Sequence, residues 1–141
     1  MLASISFLAV TTTARRTAVL TPTAYGLAIV LDLLVLLIGA RFLLVPRPAA
    51  VGYGVAAREN GDPAYLTVKG LRDATFGVMG LALLAFSGAG AEAWFMLVVA
   101  LAPLGDTLIV LRHGGTKATA FGIHFATAVT VLASAALLFA V

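Results

Sequence analysis

Apolar residues in this chain come in unbroken runs rather than in the alternation of a half-buried strand or a lipid-facing barrel. A membrane-crossing helix needs roughly 20 mostly apolar residues, and four runs reach that length. The first, about Tyr25 to Leu44, holds Asp32 and Arg41 as its only charges and lies between Thr21-Pro22-Thr23 and Pro46-Arg47-Pro48. Proline suits a helix start and a helix stop. The second runs from about Ala64 to Phe86, after the turn-like Glu59-Asn60-Gly61-Asp62-Pro63. The Ser87-Gly88-Ala89-Gly90-Ala91-Glu92 turn leads to the third, about Ala93 to Leu111. Arg112-His113-Gly114-Gly115-Thr116-Lys117 leads to the fourth, about Ala118 to Val141. Short connections force antiparallel neighbours, so the pattern predicts an all-α up-and-down bundle of four transmembrane helices over residues 25–141.

Residues 1–24 read differently. Met1 to Val10 is apolar but too short to span, and Arg15-Arg16 follows the apolar run. A secretory signal has the reverse order and a small-residue cleavage site. The segment is expected to be an interfacial or disordered lead-in. The longest connection, Pro46 to Pro63, carries Val51, Tyr53 and Val55 ahead of Ala-Ala-Arg-Glu, which suggests a short amphipathic piece at the membrane surface.

Composition sharpens the class. Of 141 residues 62% are hydrophobic and 11% charged, and mean hydropathy is +1.09. A soluble domain is about half apolar and about a quarter charged. The absence of cysteine excludes disulfide staples, thiolate zinc sites and thiol redox chemistry. A net charge of +3 is scattered among loop ends without the dense stripe that nucleic acid requires, so anionic headgroups are the expected counterpart. Loops one and three hold Arg47, Arg58, Arg112 and Lys117, against Arg15 and Arg16 before the first span. The positive-inside rule then puts both termini outside, in a multi-pass protein of a bacterial inner membrane.

Ionisable groups within a span are costly, and by default they mark function. At about 1.5 Å of rise per residue, Asp73 lies roughly 13 Å into its span, Asp106 about 8 Å and His124 about 10 Å, all measured from the side of loops one and three. Three helices therefore bring polar groups to similar depth. Lys69, Asp73, Phe76, Gly77 and Gly80 form one helical stripe, with Arg72 on its shoulder, placed to reach Asp106. Tyr25, Asp32 and Gly39 share a face of the first span, Asp32 lying deeper than the rest. Plainer roles compete: snorkelling bases at a helix start, a structural carboxylate, an interhelical histidine donor, a protonated helix-pairing Asp32. Arg41 fits ordinary snorkelling, and Trp94 and Tyr65 fit an aromatic belt.

The stretch Tyr65-Leu-Thr-Val-Lys-Gly-Leu-Arg-Asp-Ala-Thr-Phe-Gly77, with Pro103-Leu-Gly-Asp106, a basic loop and His124 after it, resembles the small four-span membrane proteins of domain-of-unknown-function family 4267, known in bacteria and fungi. The resemblance covers about Tyr25 to Val141 and rests on Lys69, Gly70, Arg72, Asp73, Gly105, Asp106 and His124. Asp32 has no place in that pattern. The resemblance implies a real family with a polar signature and brings no activity with it.

Three function classes follow from the residues. The first is an enzyme acting on a lipophilic small molecule in the bilayer by acid–base isomerisation or cyclisation, chemistry that needs no cofactor. Asp106, His124 and Asp73 would be catalytic, and Lys69, Arg72, Asp32, Tyr25 and Phe76 would bind substrate. The second is a small proton-coupled transporter acting as a homodimer. The third is an accessory or assembly subunit of a larger membrane complex. No nucleotide-binding glycine loop is present. His113 and His124, 11 residues apart, lack a compact metal-ligand spacing, so no metal site is expected.

Overall fold

The structure, a computed structural model, describes residues 2–55, 57, 61 and 63–141, with side chains described from residue 17. Every regular element among these is helical. Helix α1 is Leu2–Leu44, α2 is Pro46–Tyr53, α3 is Ala64–Phe86, α4 is Ala89–Val99 and α5 is Leu101–Arg112. A short α6, Lys117–Thr119, passes through a π-helical segment, Ala120–Phe125, into α7, Ala126–Phe139. Arg58, the side chains of Arg15 and Arg16, and Glu59, Asn60 and Asp62 of the predicted turn lie outside the described residues.

Three stretches are long and apolar enough to cross a membrane: Thr17–Leu44, Ala89–Arg112 and Lys117–Phe139. The fourth long helix, α3, has the length expected from its apolar run but carries Lys69, Arg72 and Asp73 in its first half. Large apolar side chains face outward along the rods, including Leu37 at 66% and Leu101 at 68% exposure. A water-soluble surface does not carry so much contiguous apolar area; a bilayer-facing one does. Thr23, Thr67, Thr75, Thr107, Thr127 and Thr130 each donate a side-chain hydrogen bond to the carbonyl four residues back. Their hydroxyls are thereby satisfied within their own helices, as an apolar surrounding demands. This is an all-helical membrane protein.

Prolines act differently from the sequence expectation at two places. Pro22, expected to bound the first span, sits inside α1, which runs on without interruption from Leu2. The backbone of 2–24 is thus continuous with the first span, and the whole helix is about 65 Å long at 1.5 Å per residue. Pro46 does end α1, but it also starts α2: it occupies the first turn of the new helix after a bend at Val45, where its missing N–H costs nothing. The surface piece therefore begins earlier than Val51. Pro103 follows by one turn the break at Ala100 between α4 and α5, consistent with its inability to complete the backbone ladder.

The bundle is held by close backbone approach. Gly39 of α1 lies against Gly70 and Ala74 of α3, Leu36 against Gly77, and Asp32 against Gly80. Ascending residues of one helix meet descending residues of the other, so the pair is antiparallel. A side chain at Gly70 would bring its Cβ to 2.8 Å from Phe42 Cβ and 2.9 Å from the Gly39 carbonyl oxygen. A second core joins Ala24 and Ala28 of α1, Leu84 of α3, Ala93 and Met96 of α4, and Val131, Ala135 and Leu138 of α7. Small residues let apolar helices pack tightly where lipid removes the hydrophobic drive between them.

These contacts separate two glycine classes. Gly70→Ala forces backbone and a buried Phe42 to move and should cost about 1–3 kcal/mol. Gly26→Ala, where nothing lies within 4 Å of the added carbon, should be neutral or stabilise by about 0.5–1 kcal/mol. Unfolding in mixed detergent, followed by circular dichroism, compares the two. Equal stability of both variants would contradict the packing described.

Candidate functional site

A cavity of about 310 Å³ lies between α1, α3, α4, α5 and the α6–α7 rod, with α2 across one end. At about 30 Å³ per water-sized group it has room for roughly ten such groups. Its body is apolar, formed by side chains such as Leu31, Val35, Phe76, Phe95, Val99 and Val131. Its polar groups gather at the α2 end: Arg41, Tyr53, Asp73, Asp106 and His124. Asp32 lines it separately, opposite Gly80.

Tyr53 organises the polar end. Its hydroxyl donates to Asp106 Oδ2, and its backbone carbonyl accepts a hydrogen bond from His124 Nε2 at 2.8 Å. A carbonyl can only accept, so Nε2 is the donor here, which in the neutral tautomer puts the lone pair on Nδ1. The two rings meet edge-on at 4.4 Å between centroids. Lys69 Nζ sits 4.2 Å from the Tyr53 ring centre and 2.6 Å from Asp73 Oδ2, combining a cation–π contact with an ion pair. Burial, reinforced by the neighbouring charge of Asp106 and by the hydrogen bond to it, holds the Tyr53 hydroxyl well above its ordinary pKa. It therefore stays a donor throughout the physiological range.

Local backbone features aim these groups. Gly54 closes α2 in the left-handed conformation, φ 94°, the usual way for a glycine to end a helix. A Cβ on Gly54 would meet the Thr119 methyl at 2.7 Å, and one on Gly115 would meet the Gly54 carbonyl at 2.7 Å. The end of α2 is thus pressed onto the α5–α6 connection, which carries Tyr53 over Asp106 and His124. His124 itself lies in the π-helical segment and is only 3% exposed. A π-bulge shifts the register of the helix face and is frequent at functional positions.

Of the residues singled out from the sequence, Asp73, Asp106, His124, Phe76 and Asp32 line the cavity, and Lys69 is tied to it through Asp73 and Tyr53. Arg72 is exposed and makes no ion pair among the described residues, so it does not reach Asp106; Tyr53 holds that carboxylate instead. Tyr25 packs against the second core, away from the cavity wall. No hydrogen bond joins Asp106 to His124 directly; Tyr53 lies between them. Arg41, read as a snorkelling base, lines the cavity. Sequence reasoning missed Tyr53 and Glu92. Tyr53 stands in a connection of mixed composition, and its partners are 53 and 71 residues away. Glu92 stands among glycines and alanines that spell a turn. Among the described residues no group of three or more His, Asp or Glu side chains is arranged around a common point for a metal.

The family model described as Domain of unknown function (DUF4267) matches residues 32–138, and the chain belongs to that family. Neither the search of curated proteins nor that of solved structures found a match.

Tyr53→Phe tests the polar end by its alkaline behaviour. A tyrosine whose folded pKa is raised stabilises the fold fully below its unfolded value of 10.0, and that contribution is lost as pH rises above it. Wild-type stability should therefore fall above about pH 10, and the fall should be shallower in Tyr53→Phe. At neutral pH the variant should lose about 1–3 kcal/mol, because Asp106 loses its donor. Parallel alkaline slopes for the two proteins would contradict the buried Tyr53–Asp106 pair.

Proposed function

We propose that this member of an uncharacterised family spans the membrane four times and binds a lipophilic small molecule in the cavity, on which it carries out cofactor-independent acid–base isomerisation or cyclisation. The observation that carries the reading is the asymmetry of the cavity: an apolar body closed at one end by Tyr53, Asp73, Asp106 and His124, drawn from α2, α3, α5 and the π-helical segment. Pockets of this kind, mostly apolar with a few convergent polar groups, are the usual form of small-molecule sites. The charged first half of α3 is compatible with a span because Lys69 and Asp73 neutralise each other and face the bundle.

The chemistry follows from what each group can hold. His124 Nδ1 and the Asp106 carboxylate can accept a proton. Tyr53, donating to Asp106, stabilises negative charge there, and the paired Lys69 adds positive potential beside it. An isomerisation takes a proton from one carbon and returns it to another, so its atoms balance without a co-reactant. The apolar walls exclude water from the reactive intermediate. Arg41 at the cavity wall suits a ligand with an oxygen-rich head. A second reading, a proton-coupled transporter acting as a homodimer, is favoured by one observation: Asp32 lines the cavity on the far side from the α2 end.

The test is to purify the full chain in native-lipid nanodiscs and extract it with organic solvent, with mass spectrometry of the extract. Wild type should release an apolar small molecule in near-stoichiometric amount. Ala102→Trp, which fills the cavity from its wall, should reduce that release by at least about tenfold, the equivalent of about 1.4 kcal/mol. Once the molecule is known, Asp106→Asn and His124→Ala should each slow its conversion by about 10²–10⁴-fold. Identical extracts from wild type and Ala102→Trp would end the cavity reading.

A further inference from the structure

Away from the α2 end, the bundle buries two carboxyl groups that the chemistry above does not use. Asp32 of α1 is 3% exposed and Glu92 of α4 is fully buried. Asp32 Oδ2, both carboxyl oxygens of Glu92 and the hydroxyl of Ser134 on α7 are buried side-chain atoms without a hydrogen-bond partner among the described residues. The two acids border the same core: Ala28, one turn before Asp32, and Ala93, next to Glu92, pack in it together. Ser134 lies on the face of α7 that carries Val131, Ala135 and Leu138, the face packed on Ala93 and Met96 of α4.

The position is built for the carboxyl. At Gly80 a Cβ would collide with both oxygens of Asp32, so α3 presents bare backbone where the acid lies. That core is apolar, with Leu84 of α3, Met96 of α4 and Val131 of α7 beside the two alanines. No described charge faces the pair. Helix α7 has no ionisable residue, and its polar group at this level is Ser134. Lys69, Arg72 and Asp73 of α3 all precede Gly80, with Lys69 roughly 16 Å and Asp73 roughly 10 Å away along the helix. Arg41 of α1 is nine residues, roughly 13 Å, from Asp32, and Asp106 and Arg112 belong to the α2 end or beyond it.

Two neighbouring carboxylates cannot both stay ionised in such surroundings without a cation, because burial and mutual repulsion both penalise the second charge. We propose that Asp32 and Glu92 form a proton-holding carboxyl pair inside the bundle, loaded from the cavity at Asp32. On loading, an aqueous acid in the cavity loses a proton, an O–H bond forms on the pair, and that O–H donates to the remaining carboxyl oxygens. Glu92 lies in the first turn of α4, just past the Ser87–Gly88 connection, so the pair stands between the cavity and the end of the bundle opposite α2. Unlike the acid–base reading, this assignment does not depend on what fills the cavity.

Glutamate occurs only at positions 59 and 92, which makes an isotope-edited measurement specific. Infrared spectra of the full chain in nanodiscs, with and without ¹³C-carboxyl glutamate, should show a protonated Glu carbonyl band at neutral pH in potassium buffer. Glu92→Gln should abolish the isotope-sensitive band. Asp32→Asn should shift it, since its hydrogen-bond partner changes. A wild-type spectrum at neutral pH with only ionised glutamate overturns the proposal, and needs no variant to fold. So does disappearance of the band when sodium replaces potassium, which would assign the site to a metal cation. An unchanged band in Glu92→Gln would move the proton to Glu59 and overturn it as well.

Discussion

Tyr53 ties three separate parts of the chain together through one residue. Its hydroxyl reaches Asp106 on α5, its carbonyl accepts the N–H of His124, and its ring underlies Lys69 of α3. Without it, partly buried Asp106 and buried His124 would lack these partners, a costly condition in an apolar interior. Remove the α2 end and the same residues fall into the Lys69–Asp73 ion pair and two separate polar intrusions, Asp106 and His124. With it they form one network at one end of a cavity. The constraint runs in both directions: α2 has few apolar contacts of its own beyond Ala49, Ala50 and Phe42, so the hydrogen bonds and the Gly54–Gly115 contact fix where it lies.

Much of this was legible in the sequence because membranes restrict the choices open to a chain. A long apolar run has few alternatives to a helix, since every backbone group must be satisfied within the segment. The rise per residue then converts position into depth. Asp73, Asp106 and His124 could therefore be placed at a common level before any contact was known, and all three line the same cavity. The stripe of Lys69, Asp73, Phe76, Gly77 and Gly80 was legible for the same reason. The structure divides it: Gly77 and Gly80 pack closely against α1, and Asp73 and Phe76 line the cavity.

What the sequence hid was decided at long range. Arg72 is one residue from Asp73, and at helical spacing that rotates it by about 100°, enough to carry it from the network to the surface. Periodicity placed it on a shoulder and could not say which way the shoulder faced. Tyr53 sits in a connection, where no period applies, and its role depends on partners that only the folded bundle supplies. Glu92 was obscured by its neighbours: Gly and Ala around an acid have the composition of a solvated turn. Here the acid stands in the first turn of α4 next to Ala93, which packs with α1 and α7, and its side chain is fully buried.

The two polar centres differ in how their charge is settled, and that difference organises the molecule. At the α2 end, acids have partners: Asp73 has Lys69 and Asp106 has Tyr53. Asp32 lies against Gly80, and its Oδ2 and both carboxyl oxygens of Glu92 have no hydrogen-bond partner among the described residues. A carboxyl held by a cation or a donor has part of its charge answered by the protein. For one without such a partner, the free energy of the charge depends on whatever else lies nearby. The cavity touches both centres, at Asp106 and at Asp32. A molecule that fills it meets a tied network at one end and, apart from it, a carboxyl whose Oδ2 has no hydrogen-bond donor among the described residues.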